Sequence, residues 1–325
     1  MGQQDDRAVA PMHPALSILV FTVTSGFGYG LMTLLILSQL LGGSPFANVN
    51  AYLIAFFVAF VLMSIGLLSS TFHLANPKNA WRAFNRFRTS WLSREGVLAL
   101  LYYPIALSYV AVLWINEWQT TVAAYVLGAV CVVLGFVLTH CTAMIYASLK
   151  TIPQWHTRRV PIGFCLFFIY SGVLAYALAV VSEGGSPLSA VWIAACVLAL
   201  TGLVFKLKYF TFVGEPSKTT INTATTFTEA TVRLFDTGHS AENFLQKEFA
   251  YVVGPKTQAL ARKAVLALAF IVPLVLSALQ FSRESSSLSM AIAAVLCCYV
   301  GLLLERWLFF IEAKHVVRRF YGEQY

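Results

Sequence analysis

Long apolar runs, separated by short polar segments, divide this chain along its whole length. Each run holds about 20 mostly apolar residues, the length that an α-helix needs to cross the hydrocarbon core of a bilayer. The pattern predicts an all-α, polytopic integral membrane protein in which eight transmembrane helices form one bundle, a single membrane domain over residues 1–325. The predicted spans are residues 16–41, 51–72, 96–115, 120–149, 161–181, 188–210, 264–281 and 288–311.

The overall composition agrees with a membrane protein. Hydrophobic residues make up 58% of the 325 residues and charged residues 11%, whereas about a quarter of the residues in a typical soluble domain are charged. The mean hydropathy is +0.73. The first apolar run is too long for the core of a signal peptide and has no basic segment before it, so we expect it to be retained as a span.

The Lys and Arg residues are distributed unevenly between the two sides of the predicted bundle. Eight spans place both termini on one side, and the termini and loops of that side hold 20 of the 22 Lys and Arg residues. Twelve remain, against one on the opposite side, when the long loop 206–263 is left out. Because short loops rich in Lys and Arg lie in the cytoplasm, both termini and the charged loops are predicted to be cytoplasmic. The basic pI of about 9.2 follows from this asymmetry and does not indicate nucleic-acid binding.

All of the cysteines fall within predicted spans, and they form neither a CxxC motif nor a pattern with histidine that is typical of metal ligands. We interpret them as small buried apolar residues. The chain is therefore predicted to hold no iron–sulfur cluster and no metal of its own, so that a partner must carry any metal centres. The six are Cys131, Cys141, Cys165, Cys196, Cys297 and Cys298.

The segment 72–95, between the second and third spans, contains the most distinctive motif. It begins with His73 at the cytoplasmic end of one span and closes with Glu95 at the cytoplasmic end of the next. Because short connections make neighbours of successive helices, we expect these side chains to meet near the membrane surface. An ordinary positively charged loop with interfacial aromatic residues is the alternative, but it does not account for the histidine and the acid. Basic and aromatic residues alternate between them: Trp81, Arg82, Phe84, Arg86, Phe87, Arg88, Trp91 and Arg94.

These residue types suit a quinone, whose flat head group has two carbonyl oxygens that each take up a proton when two electrons arrive. Its site needs an aromatic slot at the membrane edge, a group that titrates near neutral pH and a route to water. His73 suits the first proton and Glu95 a relay from the cytoplasm. A nearby arginine is expected to hold Glu95 charged or to polarise a quinone oxygen, and a serine to donate a hydrogen bond. The candidate quinone-binding and proton-transfer residues are His73, Glu95, Arg82, Ser93, Arg94 and Trp91.

The run His73-Leu74-x-x-Pro77-x-x-Ala80-x-Arg82-Ala83-Phe84-Asn85, followed by Ser93-x-Glu95, resembles the membrane anchor subunits of dimethyl sulfoxide reductase-type molybdoenzymes. Weaker matches lie at residues 146–155 and 305–310. The resemblance implies eight spans and a role in quinol binding for the matching histidine and glutamate. It also implies two partners: an iron–sulfur electron-transfer subunit and a catalytic subunit that carries molybdopterin. The expected location is the cytoplasmic (inner) membrane of a bacterium.

Two departures point to one branch of that family. The charge distribution predicts that the segment 72–95 lies in the cytoplasm, and the sequence of residues 87–95 resembles the anchors of cytoplasm-facing sulfite dehydrogenases. The expected function is therefore to pass electrons from a cluster-bearing subunit to ubiquinone or menaquinone while a partner oxidises sulfite. The chain itself would not catalyse the sulfite reaction. The alternatives are an anchor of a respiratory dimethyl sulfoxide reductase-type complex that oxidises menaquinol, a non-redox tether, and a secondary transporter, although neither repeated halves nor broken helices are evident.

Three polar residues inside the spans are candidates for a proton path. His140 is expected to be a buried, hydrogen-bonded histidine, with a proton-path or haem role left open. Glu305 and Arg306 are costly in a membrane unless they are paired. Because adjacent helical residues point about 100° apart, each is expected to meet a different partner, either as a structural pairing within the bundle or in proton handling.

Two further patterns give expectations about packing and docking. Gly26 and Gly30 in the first span are spaced for close contact with another helix. In the cytoplasmic loop 206–263, residues 239–252 predict an amphipathic helix that lies on the bilayer or docks the cluster-bearing subunit.

Overall fold

A computed structural model of the chain describes residues 16–42, 46, 48–71, 77–185, 187–215, 220–227, 229–233, 235, 253–283 and 285–317. Within these ranges the protein is helical and has no strand, so the predicted fold class is confirmed. Eight helices in the described residues are long and apolar enough to cross a membrane. They are α1 (Leu16–Leu40), α2 (Val49–Thr71), α3 (Trp91–Ile115), α4 (Val122–Ala147), α5 (Arg159–Ser182), α6 (Ser189–Gly214), α7 (Pro255–Phe281) and α8 (Leu288–Ile311).

Helices α1 and α5 form the centre of the bundle. About three quarters of each apolar stretch is buried, 78% in α1 and 72% in α5, compared with 28–39% in the other six helices. The two central helices cross at Gly30 and Gly172, where a Cβ atom on Gly30 would lie 2.5 Å from the backbone oxygen of Phe168. Gly28 packs equally closely on Met63 of α2, but nothing lies within 4 Å of a Cβ on Gly26. The predicted close contact is thus confirmed at Gly30 and is wrong at Gly26.

Helix α7 widens into a π-helical turn at Leu266–Ile271, just before Pro273. Pro273 has no N–H, so it cannot donate a hydrogen bond to the carbonyl of Ala269, four residues earlier. That carbonyl is therefore available to another partner. The Tyr170 hydroxyl on α5 donates a hydrogen bond of 2.8 Å to that oxygen. The irregular turn is thereby joined to the central helix instead of being exposed to lipid.

Helices occupy both ends of the segment predicted as the loop 206–263. Helix α6 continues to Gly214 and α7 begins at Pro255, with a short helix at Ile221–Thr225 between them. Lys206 is buried inside α6, which agrees with the predicted span 188–210, so the predicted start of the loop at residue 206 is wrong. The amphipathic helix predicted for residues 239–252 lies outside the described residues.

Candidate functional site

The first turn of α3 is held in place by its own side chains. The Ser90 side chain caps the helix by accepting a hydrogen bond from the backbone N–H of Ser93. The Arg94 guanidinium donates to the backbone oxygens of Phe87 (3.0 Å) and Arg88 (2.7 Å) and lies 4.2 Å from the centre of the Trp91 ring. These contacts tie the preceding loop to the helix and set the direction in which the next residue points.

That next residue, Glu95, points into the bundle and is only 5% exposed. Its Oε1 atom is hydrogen-bonded to the Thr142 hydroxyl of α4, and that hydroxyl is also 3.1 Å from the backbone oxygen of Leu138. A hydroxyl has one proton to donate. It can donate to an ionised Glu95, or accept from a protonated Glu95 while donating to Leu138. The pair therefore has a satisfied hydrogen-bond pattern in either protonation state.

A narrow cleft surrounds the Glu95 carboxyl group, close to the end of the bundle where the predicted cytoplasmic loops join. Glu95 lies four residues after the start of α3, about 6 Å along the helix axis. Helices α1 to α5 all contribute to the walls, which combine aromatic rings, hydroxyl groups and aliphatic side chains. The lining residues are Phe21, Thr22, Ser25, Gly26, Tyr29, Leu67, Glu95, Ala99, Leu138, Thr139, Thr142 and Phe164.

The other predicted residues of the segment 72–95 occupy different positions. His73 lies outside the described residues; Leu67, six residues before it on α2, lines the cleft. Ser93 is buried two positions before Glu95 on α3 and does not line the cleft. Arg94 binds loop carbonyls instead of Glu95, so the expectation that it holds the acid charged is wrong, and a role in polarising a quinone oxygen stays a prediction. Arg82 is exposed, 5.7 Å from the Trp81 ring, in the 3-10 helix Pro77–Arg86, and it does not line the cleft.

His140 is exposed on the outer face of α4, so the expectation of a buried histidine is wrong. Its ring lies edge to face with Trp91, with 6.1 Å between the ring centres. Neither ring lines the cleft at Glu95. Because successive helical residues point about 100° apart, His140 faces outwards although its neighbour Thr139 is buried. His140 and Trp91 therefore form an aromatic pair on the outer surface of the bundle.

A second buried polar group connects helices α6 and α8. The Lys206 Nζ atom is 2.5 Å from Oε1 of Glu305, and Arg306 Nε is 3.2 Å from Oε2 of the same carboxylate. All three residues are at most 6% exposed. The expectation that Glu305 and Arg306 meet different partners is wrong, because Arg306 pairs with its own neighbour. Of the two expected roles, the structure contains the pairing within the bundle.

Thr142 and Lys206 were not identified from the sequence. Thr142 looked like an ordinary polar residue near a helix end, and only its separation of three positions from Thr139 indicated a hydroxyl-bearing face. Lys206 lies eight residues before the end of its helix and two positions before the exposed Lys208, so it resembled the start of a charged loop. An intramembrane lysine at a depth similar to that of an intramembrane acid would have been the signal for a pair.

No group of three or more histidine, cysteine or acidic residues that could hold a metal ion occurs among the described residues. The cysteines are free thiols and are distributed over helices α4, α5, α6 and α8. The chemistry of the Glu95 cleft is therefore that of a carboxyl group, hydroxyl groups and aromatic rings.

These features define a multi-pass helical membrane protein with a buried acid at one edge of the membrane. The profile of the family "DMSO reductase anchor subunit (DmsC)" matches residues 12–311, and the chain belongs to that family. It is 32% identical to the C subunit of sulfite dehydrogenase from Allochromatium vinosum, over 95% of this chain and 99% of that protein. It is 26% identical to the C chain of anaerobic dimethyl sulfoxide reductase from Escherichia coli, over 50% of this chain and 56% of that protein. No solved structure matches.

Proposed function

We propose that this chain is the quinone-interacting membrane anchor of a molybdopterin oxidoreductase complex. It passes electrons between a cluster-bearing subunit and the quinone pool, and the substrate reaction in a partner subunit is sulfite oxidation. The chain supplies the quinone site and does not itself oxidise sulfite. The partners are an iron–sulfur electron-transfer subunit and a catalytic subunit that carries molybdopterin.

The observation that carries this proposal is the hydrogen-bond arrangement at Glu95. A quinone needs a proton donor that functions at the membrane edge and that can afterwards be recharged. The Thr142 hydroxyl satisfies Glu95 both with and without its proton, because the hydroxyl can turn between the carboxyl group and the Leu138 carbonyl. A proton can therefore leave Glu95 without leaving a buried polar atom unpaired.

The proposed reaction balances in protons and electrons. Sulfite and water give sulfate, two electrons and two protons at the partner subunit. The quinone takes two electrons from the iron–sulfur subunit and two protons, and becomes a quinol. Glu95 donates one of these protons to a carbonyl oxygen of the head group. His73, from the segment that follows α2, is the proposed second donor.

The side chains that line the cleft suit the chemistry of the head group. Phe21, Tyr29 and Phe164 provide aromatic surfaces, and Ser25 and Thr22 provide hydroxyl groups along the same cleft. Aromatic and aliphatic walls with a few convergent polar groups are typical of sites for small apolar cofactors. We propose that the basic residues of the segment 72–95 shape the entrance instead of contacting the acid.

Sulfite is favoured over an S-oxide substrate by the extent of the similarity. The resemblance to the sulfite dehydrogenase protein spans nearly the whole of both chains, whereas that to the dimethyl sulfoxide reductase protein spans about half. The second candidate, an anchor that oxidises menaquinol for a reductase, uses the same cleft in the opposite direction. The Lys and Arg distribution favours a cytoplasmic location for the Glu95 end of the bundle, for both termini and for the partner subunits.

The experiment is sulfite-dependent reduction of a soluble quinone analogue by the purified complex, with Glu95→Gln as the variant. Glutamine keeps the shape and a hydrogen bond to Thr142 but has no proton to transfer. We expect the complex to assemble and quinone turnover to fall by roughly 10²–10⁴-fold, the usual contribution of a positioned proton-transfer group. Sulfite oxidation with an artificial acceptor that takes electrons from the partner subunits should be unchanged.

The matched control is Glu117→Gln, an exposed acid beyond the far end of α3, which should leave every rate unchanged. Full quinone turnover in Glu95→Gln would support a tether that does not contact quinone. Reduction of dimethyl sulfoxide by quinol, without sulfite oxidation, would support the reductase branch. Solute uptake by vesicles that contain this chain alone would support a transporter.

A further inference from the structure

Helices α6 and α8 hold a charged cluster that the proposed quinone chemistry does not use directly. It consists of Lys206, Glu305 and Arg306 and contains two cations but one carboxylate. Intramembrane ionisable groups are expensive and commonly mark pathways for ions or protons. A purely structural pair would need one cation and one anion, so the additional cation calls for an explanation.

Aromatic rings surround both cations of the cluster. The Arg306 guanidinium lies 3.7 Å from the centre of the Phe164 ring, and Lys206 Nζ lies 4.4 Å from the Tyr209 ring and 4.8 Å from the Phe210 ring. Such contacts partly replace the hydration of a cation. The Oε2 atom of the carboxylate is close enough to Arg306 for an ion pair, but the geometry of that contact leaves the atom without a hydrogen bond. It can accept one from a water molecule.

Three small clefts lie next to one another between Glu95 and this cluster. The cleft at Glu95 shares Thr22, Gly26, Thr139 and Phe164 with a second cleft, which reaches Arg306. The second cleft shares Phe164, Phe167 and Arg306 with a third, which reaches Lys206. Hydroxyl groups accompany the series, with Thr139 in the first two clefts and Ser171 in the second.

The third cleft leads towards the end of the bundle that carries the charged loops. Arg159, an exposed residue at the start of α5, lines it together with Tyr209. Just beyond lies Glu312, which accepts hydrogen bonds from Arg262 Nε (2.7 Å) and Gln258 Nε2 (2.9 Å) of α7. Charged groups thus continue from the cluster to the surface.

We propose that these clefts form a hydrated proton route from the surface at Arg159 to Glu95, and that Lys206 is the proton-carrying member of the cluster. This inference rests on the proposed quinone function, because it supplies the protons that Glu95 delivers. Lysine can release and regain a proton, whereas arginine stays charged under all physiological conditions. Arg306, between the second and third clefts, orders water and keeps Glu305 aligned. Glu305 accepts a hydrogen bond from Lys206, and its other oxygen can accept one from water.

The decisive comparison is between Lys206→Arg and Lys206→Met in the assembled complex. Arginine retains the positive charge and the pairing with Glu305, but it cannot release a proton. If the cluster only stabilises the fold, Lys206→Arg should keep both thermal stability and quinone turnover. If it carries protons, Lys206→Arg should keep stability but lose turnover by about 100-fold, the lower end of the effect of a positioned proton-transfer group.

A chemical rescue separates proton delivery from a distorted fold. Imidazole, a small permeable proton carrier, should restore part of the turnover of Lys206→Arg, and it should not affect Lys208→Met. Lys208 lies on the same helix and is exposed, so it is the matched control. Lys206→Met tests the cost of losing the charge itself and should lower thermal stability as well as turnover.

The outcomes distinguish this inference from the quinone proposal beneath it. If Glu95→Gln loses turnover while Lys206→Arg turns over like the wild type, the route is wrong and the quinone site stands. If neither variant loses turnover, the quinone site itself is wrong. Loss of turnover in Lys206→Arg without rescue by imidazole, together with a lowered melting temperature, would also overturn the route in favour of a structural cluster.

Discussion

Two buried glutamates, Glu95 and Glu305, lie at similar depths near the same end of the bundle, but one has a neutral partner and the other has charged partners. Glu95 is paired with the hydroxyl of Thr142, and no cation of the described residues pairs with it. Glu305 lies between the cations of Lys206 and Arg306. A carboxyl group with a neutral partner can change its protonation state without breaking an ion pair, whereas the other cannot. The difference separates an acid that we propose to give up its proton from an acid that keeps its charge and joins two helices through its cations.

The residues that surround the two acids also differ. Glu95 borders a cleft whose walls come from five helices and carry hydroxyl groups and aromatic rings but no cation. Glu305 also borders a cleft, but it lies there between two cations that are flanked by the rings of Phe164, Tyr209 and Phe210. Both acids are costly to bury, and each is stabilised in its own way. Removal of the Glu305 carboxylate should therefore destabilise the fold, whereas Glu95→Gln should lower turnover with little effect on folding.

The largest effect on stability is expected for Glu305→Ala. It leaves two buried cations without their carboxylate, and breaking a buried ion pair by removing one partner costs about 3–5 kcal/mol. Lys206→Met should cost less, because Glu305 retains Arg306. Thermal unfolding of the detergent-solubilised complex measures both, and Glu95→Gln is the comparison that should unfold near the wild-type temperature. Equal melting temperatures for Glu305→Ala and Glu95→Gln would contradict the distinction between the two acids.

A smaller effect is expected for Thr142→Val, which has the shape of threonine without the hydroxyl. Glu95 then loses its hydrogen-bond partner, and a buried polar group left unsatisfied costs about 1–3 kcal/mol. Quinone turnover should fall as well, because the protonated and ionised states of Glu95 are no longer both satisfied. Thr142→Ser restores a hydroxyl and should recover most of the turnover. The alternative that Thr142 only fills space predicts that valine is the better replacement of the two.

The smallest effect is expected for His140→Ala. His140 is exposed and contacts Trp91 at the outer face of α4, and surface substitutions of this kind usually change stability by about 0.5 kcal/mol or less. Quinone turnover and thermal stability should both match the wild type. A strong loss of turnover would place the reaction on the outer face of α4 and would move the site away from Glu95.

The fold was largely predictable from the sequence because each membrane span is a local property. About 20 apolar residues in succession are sufficient to indicate a helix that crosses a bilayer, whatever surrounds it. All eight spans were identified in this way, with differences at their ends. The start of α7 differs most, because Lys256, Arg262 and Lys263 suggested a loop and are instead part of the helix.

The site was predictable only in part. Glu95 was singled out because an acid at the end of an apolar span is unusual, and its side chain is buried in the structure. The partners of Glu95 could not be derived, because Thr142 is 47 positions away in the chain and the choice between Arg94 and a hydroxyl depends on the rotation of two helices. The prediction that His140 is buried was wrong for the same reason. A span that is apolar on all sides gives no periodic signal of which face points inwards.

The sequence by itself determined the number of spans, the side with the positive loops and the presence of acids that must be compensated, because each depends on residues that are close together in the chain. Only the tertiary structure decided which compensation each acid receives. Lys206 meets Glu305 across 99 positions, and the Gly30 and Gly172 crossing brings α1 and α5 close enough to line the clefts. Helix packing sets such distances, and in a uniformly apolar span nothing in the local pattern specifies which face packs.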